Sequence, residues 1–94
     1  MFVIRRVQED SMSPTYKPGQ IVAIVWRGSV NIGDVVIAVV EGREVLKRVS
    51  DVREREVYLL GDNATKSRDS RRYGWVPKKD VVGKVIPQRQ ACLR

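Results

Sequence analysis

Asp34-Val35-Val36-Ile37-Ala38-Val39-Val40-Glu41-Gly42-Arg43-Glu44-Val45-Leu46-Lys47-Arg48-Val49 decides the architecture. Asp34 to Val40 is an apolar run of strand length. Glu41-Gly42 is a two-residue connection, and Arg43 to Val49 returns, so the segment predicts a β-hairpin. Side chains alternate faces along a strand, which puts Val45, Lys47 and Val49 on one face and Leu46 and Arg48 on the other. Lys47 therefore has a branched apolar neighbour on each side of it. Burial there would disfavour the ammonium form and lower the pKa from its free value of about 10.4. The competing reading of Lys47 is an exposed strand residue whose stem covers the valines.

The chain outside the hairpin has the same grain. Phe2 to Gln8 reads as a first strand rich in β-branched residues. Pro18-Gly19 marks a turn, and Ile21 to Trp26 is an apolar run that suits a buried strand. Gly28 to Gly33 is a loop and Arg53 to Glu56 a charged turn. Val57 to Leu60 is a short strand broken by Gly61-Asp62-Asn63. Ala64 to Tyr73 is polar without periodicity, a loop of the kind that carries function or disorder. Trp75-Val76-Pro77 is a candidate short strand. Val81 to Ile86 is the last strand, which Pro87 ends. Lys78 to Val82 could form one helical turn at most. Short valine-rich runs between Gly and Pro turns predict an all-β domain, either a small coiled antiparallel sheet or a partly open barrel.

Ninety-four residues with 43% hydrophobic content make one globular domain, residues 1–94, with a modest core. The net charge of +7 permits an acidic partner, but it is spread along the chain without a Lys/Arg run. Nucleic-acid binding would need aromatic stacking platforms. The aromatics are scattered at Phe2, Tyr16, Trp26, Tyr58, Tyr73 and Trp75, so no nucleic acid is expected. Cys92 is the only cysteine, which rules out an internal disulfide. No apolar run approaches the roughly 20 residues of a membrane span. The sequence as it stands reads as soluble and cytoplasmic; an anchor upstream of Met1 would instead tie it to the extracytoplasmic face of a membrane.

The chain has no histidine. That removes the usual base for a serine or cysteine nucleophile and the usual zinc ligands. Nucleophilic catalysis would need a carboxylate, a lysine or the chain's own amine, and a Ser/Lys pair is a known solution. Ser11-Met12-Ser13-Pro14-Thr15 offers a serine where a strand gives way to a turn. Pro14 fixes its own backbone and biases Ser13 toward extended geometry. An ordinary polar turn would have the same composition.

Three stretches in order resemble type I signal peptidases and their relatives. Ser11-Met12-Ser13-Pro14-Thr15 is similar to their nucleophile box and Leu46-Lys47-Arg48-Val49 to their base box. Gly61-Asp62-Asn63, Ser67-Arg68-Asp69-Ser70-Arg71 and Tyr73-Gly74-Trp75-Val76-Pro77, continuing to Val82-Gly83-Lys84-Val85, are similar to their long C-terminal box. The resemblance implies the sheet of that family's catalytic core, with Ser11 as nucleophile and Lys47 as general base. It implies that Ser67 orients the Lys47 amine and that Asp69 and Arg71 form an ion pair. It also implies that the Ser11 N–H donates to the oxyanion. Asp62 and Asn63 read as a turn bonded to its own backbone. Met12, Tyr16 and Trp26 are candidates for a specificity pocket, with core packing as the alternative.

The implied substrate is a precursor polypeptide bound as an extended strand, along Phe2–Gln8 or the Arg43–Val49 hairpin, with no metal or organic cofactor. Two features depart from the family pattern. Glu9 stands where the family has Gly or Ser, and its carboxylate is expected to point away from the oxyanion. The chain is also short, with only Ser50 to Glu56 between Val49 and the next strand. In size it resembles the maturation proteases of nickel-type superoxide dismutase. The alternatives are the core of a membrane-anchored signal peptidase, a self-cleaving module of the LexA type, and a basic β-barrel without activity.

Overall fold

The computed structural model describes residues 2–26, 29–66 and 68–86. Seven strands run β1 (Phe2–Arg6), β2 (Ile21–Val25), β3 (Val35–Val40), β4 (Arg43–Val52), β5 (Glu56–Leu60), β6 (Val76–Pro77) and β7 (Val81–Val85). They form one antiparallel sheet in the order β1-β2-β7-β3-β4-β5-β6. The sheet is not closed into a barrel: β1 lies at one edge and β6 at the other.

The β3–β4 hairpin pairs Val35 with Arg48 through to Val40 with Arg43. Its two connecting residues have positive φ, 53° at Glu41 and 79° at Gly42. That is the geometry a two-residue hairpin turn with the right strand twist requires. β4 runs three residues past the expected end at Val49, to Val52. A register shift between Val49 and Asp51 makes this possible: Ser50 bulges out and its Oγ donates to the Tyr58 carbonyl at 3.3 Å. β1 ends at Arg6 rather than Gln8, although the Val7 N–H still donates to the Gln20 carbonyl at 2.7 Å, one residue beyond the strand pairing.

The aperiodic stretch after Ala64 contains two short helical pieces, a 3-10 turn over Ala64–Lys66 and α1 (Ser70–Tyr73). The expected turn near Lys78 is a 3-10 turn over Lys78–Asp80. Pro77 sits in the edge strand β6, where a missing N–H does least harm. Pro87 and Cys92 lie outside the described residues.

Both faces of the central sheet are apolar. Val36, Ala38, Val49, Val57, Leu59, Val76 and Val81 form one buried cluster, with Tyr73 packed against it. Val7, Met12, Tyr16, Val22, Val35 and Val85 form the other, with Leu46 against it. β3 feeds both clusters, which is why Val35 to Ala38 are buried consecutively. Gly83 marks the closest approach within the sheet. A Cβ there would lie 2.5 Å from Ile24 Cγ2 and 2.8 Å from the Val25 carbonyl oxygen, so β7 passes β2 only with glycine at this point.

Candidate active site

The turn that carries Ser11 begins where β1 has ended. The Tyr16 N–H donates to the Met12 carbonyl at 2.9 Å and the Ser13 N–H to the Asp10 carbonyl at 3.3 Å. The Ser13 hydroxyl donates to the Asp10 carboxylate, and the Ser13–Pro14 peptide is cis. Met12 and Tyr16 are buried in the second cluster and fasten the turn to the sheet. Ser11 itself is 3% exposed.

Gly61-Asp62-Asn63 clamps this turn from outside. The Asn63 N–H donates to the Ser11 carbonyl at 2.8 Å, and its side-chain amide donates to the Asp10 carbonyl at 3.1 Å. The Asp62 N–H approaches Met12 Sδ at 3.4 Å. The Asp62 carboxylate accepts from the Thr15 hydroxyl at 2.6 Å and from Arg48 Nε and Nη2 at 2.9 and 2.8 Å. These residues are structural, but they bond to Ser11, Asp10, Thr15 and Arg48 rather than serving only their own turn. The Arg48 fork holds the Asp62 carboxyl below its ordinary pKa, with Thr15 assisting. Arg48 follows Lys47 directly, and Leu46 before it packs in the cluster that holds Met12. The clamp thus brings the Ser11 turn against the strand that carries Lys47.

Lys47 is 1% exposed, opposite Val36 on β3 and between Val45 and Val49 on its own face. The snorkelling alternative is excluded. Burial pushes its pKa below the ordinary lysine value. Glu9 and Asp69 pull it back upward, and Arg71 adds a smaller push downward.

Asp69 is 1% exposed and uses both oxygens. Oδ2 accepts from the Gly61 N–H at 2.8 Å and from Arg71 Nη2 at 2.6 Å. Oδ1 accepts from the Arg71 N–H at 3.1 Å and Nε at 2.9 Å, capping α1. Beside it, the Ser70 hydroxyl accepts the Leu59 N–H at 2.8 Å. Two side chains of α1 and its cap therefore lock the β5 end to the segment before the helix. Ser67 lies outside the described residues.

A pocket of about 140 Å³ opens beside Ser11. Arg5, Arg6, Gln8 and Glu9 line one side, and Glu44, Val45 and Leu46 the other. β5 joins β4 only from Arg48 onward, so Arg43–Lys47 pair with β3 alone among the described residues. The pocket thus lies between the segment following β1 and a half-free stretch of β4. Glu9 lines this pocket with Ser11, while its carboxylate accepts from Arg43 Nη2 at 3.3 Å on the side of a neighbouring pocket that Arg43 lines. Met12 and Tyr16 are core residues and do not line the pocket, while Trp26 is 71% exposed. Among the described residues no group of His, Cys, Asp and Glu could hold a metal ion.

Sequence reasoning missed Arg48, Thr15 and Ser70. The Arg48–Asp62 pair follows only from the β4–β5 register, which sets Arg48 opposite Leu60. That register could have been read from the hairpin, but the bulge at Ser50 hides it.

Residues 39–88, more than half of the chain, match the family described as signal peptidase, peptidase S26. The chain belongs to that family. The matched segment carries Lys47, Asp62, Asp69 and Arg71; Ser11 lies ahead of it. Signal peptidase I of Buchnera aphidicola subsp. Baizongia pistaciae is 46% identical over 35 residues, 37% of this chain. Signal peptidase I of Buchnera aphidicola subsp. Acyrthosiphon pisum is 49% identical over 35 residues, also 37% of this chain. The similar stretch spans only 11% of each of those relatives. Among the described residues no helix is long and apolar enough to cross a membrane.

Proposed function

We propose that this chain is a serine endopeptidase that removes an N-terminal leader from a precursor protein, with Ser11 as nucleophile and Lys47 as base. The observation that carries this reading is Lys47 itself, an amine 1% exposed on a face of valines and held below its ordinary pKa by that burial. An amine with a lowered pKa, on the strand against which the Ser11 turn packs, suits a base in a chain without histidine.

In the reaction, the Lys47 amine takes the Ser11 hydroxyl proton as Oγ bonds to the scissile carbonyl carbon. The C–N bond then breaks, and the departing amine takes that proton from the Lys47 ammonium. Water, deprotonated in turn by Lys47, attacks the ester; the C–Oγ bond breaks, and Ser11 Oγ takes the proton back from the Lys47 ammonium. The Ser11 N–H serves as an oxyanion donor. Ser67 orients the Lys47 amine. Asp69 and Arg71 act at one remove, holding Gly61 and hence the clamp on the Ser11 turn. The precursor lies as an extended strand in the groove between Arg5–Glu9 and Glu44–Leu46.

Within the family, the short connection between β4 and β5 favours a compact maturation protease of the kind that trims nickel superoxide dismutase precursors. The similarity to signal peptidase I of Buchnera aphidicola favours a second reading, the core of a membrane-anchored signal peptidase. Mass spectrometry of two leader-bearing precursors separates them, one of nickel superoxide dismutase and one secretory preprotein in detergent. Each is incubated with wild-type, Ser11→Ala and Lys47→Ala protein. One defined cut lost in both variants is the expected result, and the precursor that is cut decides the subgroup. A cut that persists in Ser11→Ala overturns the proposal.

A further inference from the structure

Two carboxylates line the pocket beside Ser11, and they are held very differently. Glu44 is gripped by Arg5 through Nε at 2.9 Å and Nη2 at 3.4 Å. Among the described residues Glu9 has one ion-pair contact, at 3.3 Å to Arg43, whose side chain is 74% exposed. The neighbouring Asp10 is occupied by the Ser13 hydroxyl. Glu9 also lines a second, smaller pocket with Val45, Arg68 and Tyr73, so it stands on the wall between the Ser11 groove and the Lys47 side of β4.

We propose that Glu9 is a positioning residue that restrains the reaction at Ser11 through its negative charge, and that Arg43 sets the strength of the restraint. This rests on the Ser11/Lys47 reading. A carboxylate on the wall of the groove opposes the oxyanion that forms there. The same charge favours the protonated, inactive form of Lys47. The other charged groups acting on Lys47 come from the Asp69–Arg71 segment: Asp69 works in the same sense as Glu9, and Arg71 works against it. Asp69 is buried and held by Arg71 and the Gly61 N–H, whereas among the described residues Glu9 has one loose ion-pair partner, so Glu9 is the adjustable member. β3 presents Val36 opposite Lys47, and the pocket beside Glu9 also holds Glu41, Arg43, Arg68 and Tyr73.

The experiment measures kcat/KM against pH for one cleaved precursor with wild-type, Glu9→Gln, Arg43→Gln and the double variant. Glu9→Gln is expected to cut several-fold faster at neutral pH, with the rising limb of its pH profile moved toward lower pH. Arg43→Gln is expected to cut more slowly, with the limb moved upward. The double variant is expected to match Glu9→Gln, because Arg43 acts only through Glu9. A Glu9→Gln enzyme that is slower or keeps the wild-type profile overturns the inference, as does a double variant as slow as Arg43→Gln alone. Thermal melting of each variant guards against misfolding, and a pH midpoint is independent of the folded fraction. Loss of folding in Glu9→Gln would itself assign the residue to structure and overturn the inference. Failure of the underlying reading looks different, since Ser11→Ala would then still cut.

Discussion

The two ends of β4 carry similar charge and treat it in opposite ways. At its end near Val52, Arg53 meets Glu56 at 3.3 Å, with side chains 58% and 39% exposed. Arg53 also lies 3.8 Å above the ring of Trp75, which meets Tyr58 edge-on. Water solvates these charges, and their contacts are optional. Around Lys47 and the Ser11 turn the charges are taken inside. Asp69 is sealed under four donors, Asp62 sits in the Arg48 fork, and Lys47 is buried among valines. A fold gains nothing from burying an amine that a methionine could replace. The difference teaches that charge is buried at the Ser11 end, where the proposed Ser11/Lys47 pair would use it at some expense of stability, and left to water at the Val52 end.

The most drastic way to break the comparison is to remove the reacting groups. Ser11→Ala and Lys47→Ala should each lower the cleavage rate by about 10³-fold or more, read by mass spectrometry, while the fold persists by circular dichroism. Asp69→Ala should cost about 2–3 kcal/mol in denaturant unfolding, because it leaves the buried Gly61 N–H without its acceptor and uncaps α1. It should also lower activity, through the loosened clamp on the Ser11 turn.

Lys47→Met should stabilise the protein by about 1–2 kcal/mol at neutral pH while abolishing cleavage. The sign of its pH dependence follows from the lowered folded-state pKa. The folded state sheds the proton first, so wild-type stability rises with pH between the folded value and the ordinary 10.5. The advantage of Lys47→Met must shrink over that window. Asp62 gives the same sign of slope at the acid end of the scale. Its pair with Arg48 stabilises above the ordinary 3.8, and that support is lost as pH falls through the lowered folded value. Unfolding curves of wild type and Asp62→Asn should therefore converge in acid. Last, Arg53→Ala should change stability by no more than about 1 kcal/mol and leave cleavage untouched. A large effect there would erase the contrast between the two ends.

Much of this arrangement was legible before any coordinates. The β3–β4 hairpin followed from two valine-rich runs around Glu41-Gly42, and the position of Lys47 between Val45 and Val49 foretold its burial. α1 was not legible, because four residues are too few to show a period and the helix is held by the Asp69 cap and the packing of Tyr73. The extension of β4 to Val52 depends on the Ser50 bulge, which has no signature in composition. Thr15, Asp62 and Arg48 meet only because the Ser11 turn folds onto the β4–β5 hairpin. The surroundings of Glu9 were not legible for a related reason. Its place before the turn was visible, but its partner Arg43 lies on the β3–β4 hairpin and lines the neighbouring pocket.

The most direct measurement is the pH dependence of Ser11 acylation by a serine-directed probe, followed by intact mass and peptide mapping in wild-type and Lys47→Met protein. The account predicts one label, on Ser11, at a rate that climbs with pH and levels off on the alkaline side, and almost no labelling in Lys47→Met. A rate that is flat with pH, a label on another residue, or equal labelling of the two proteins would contradict it.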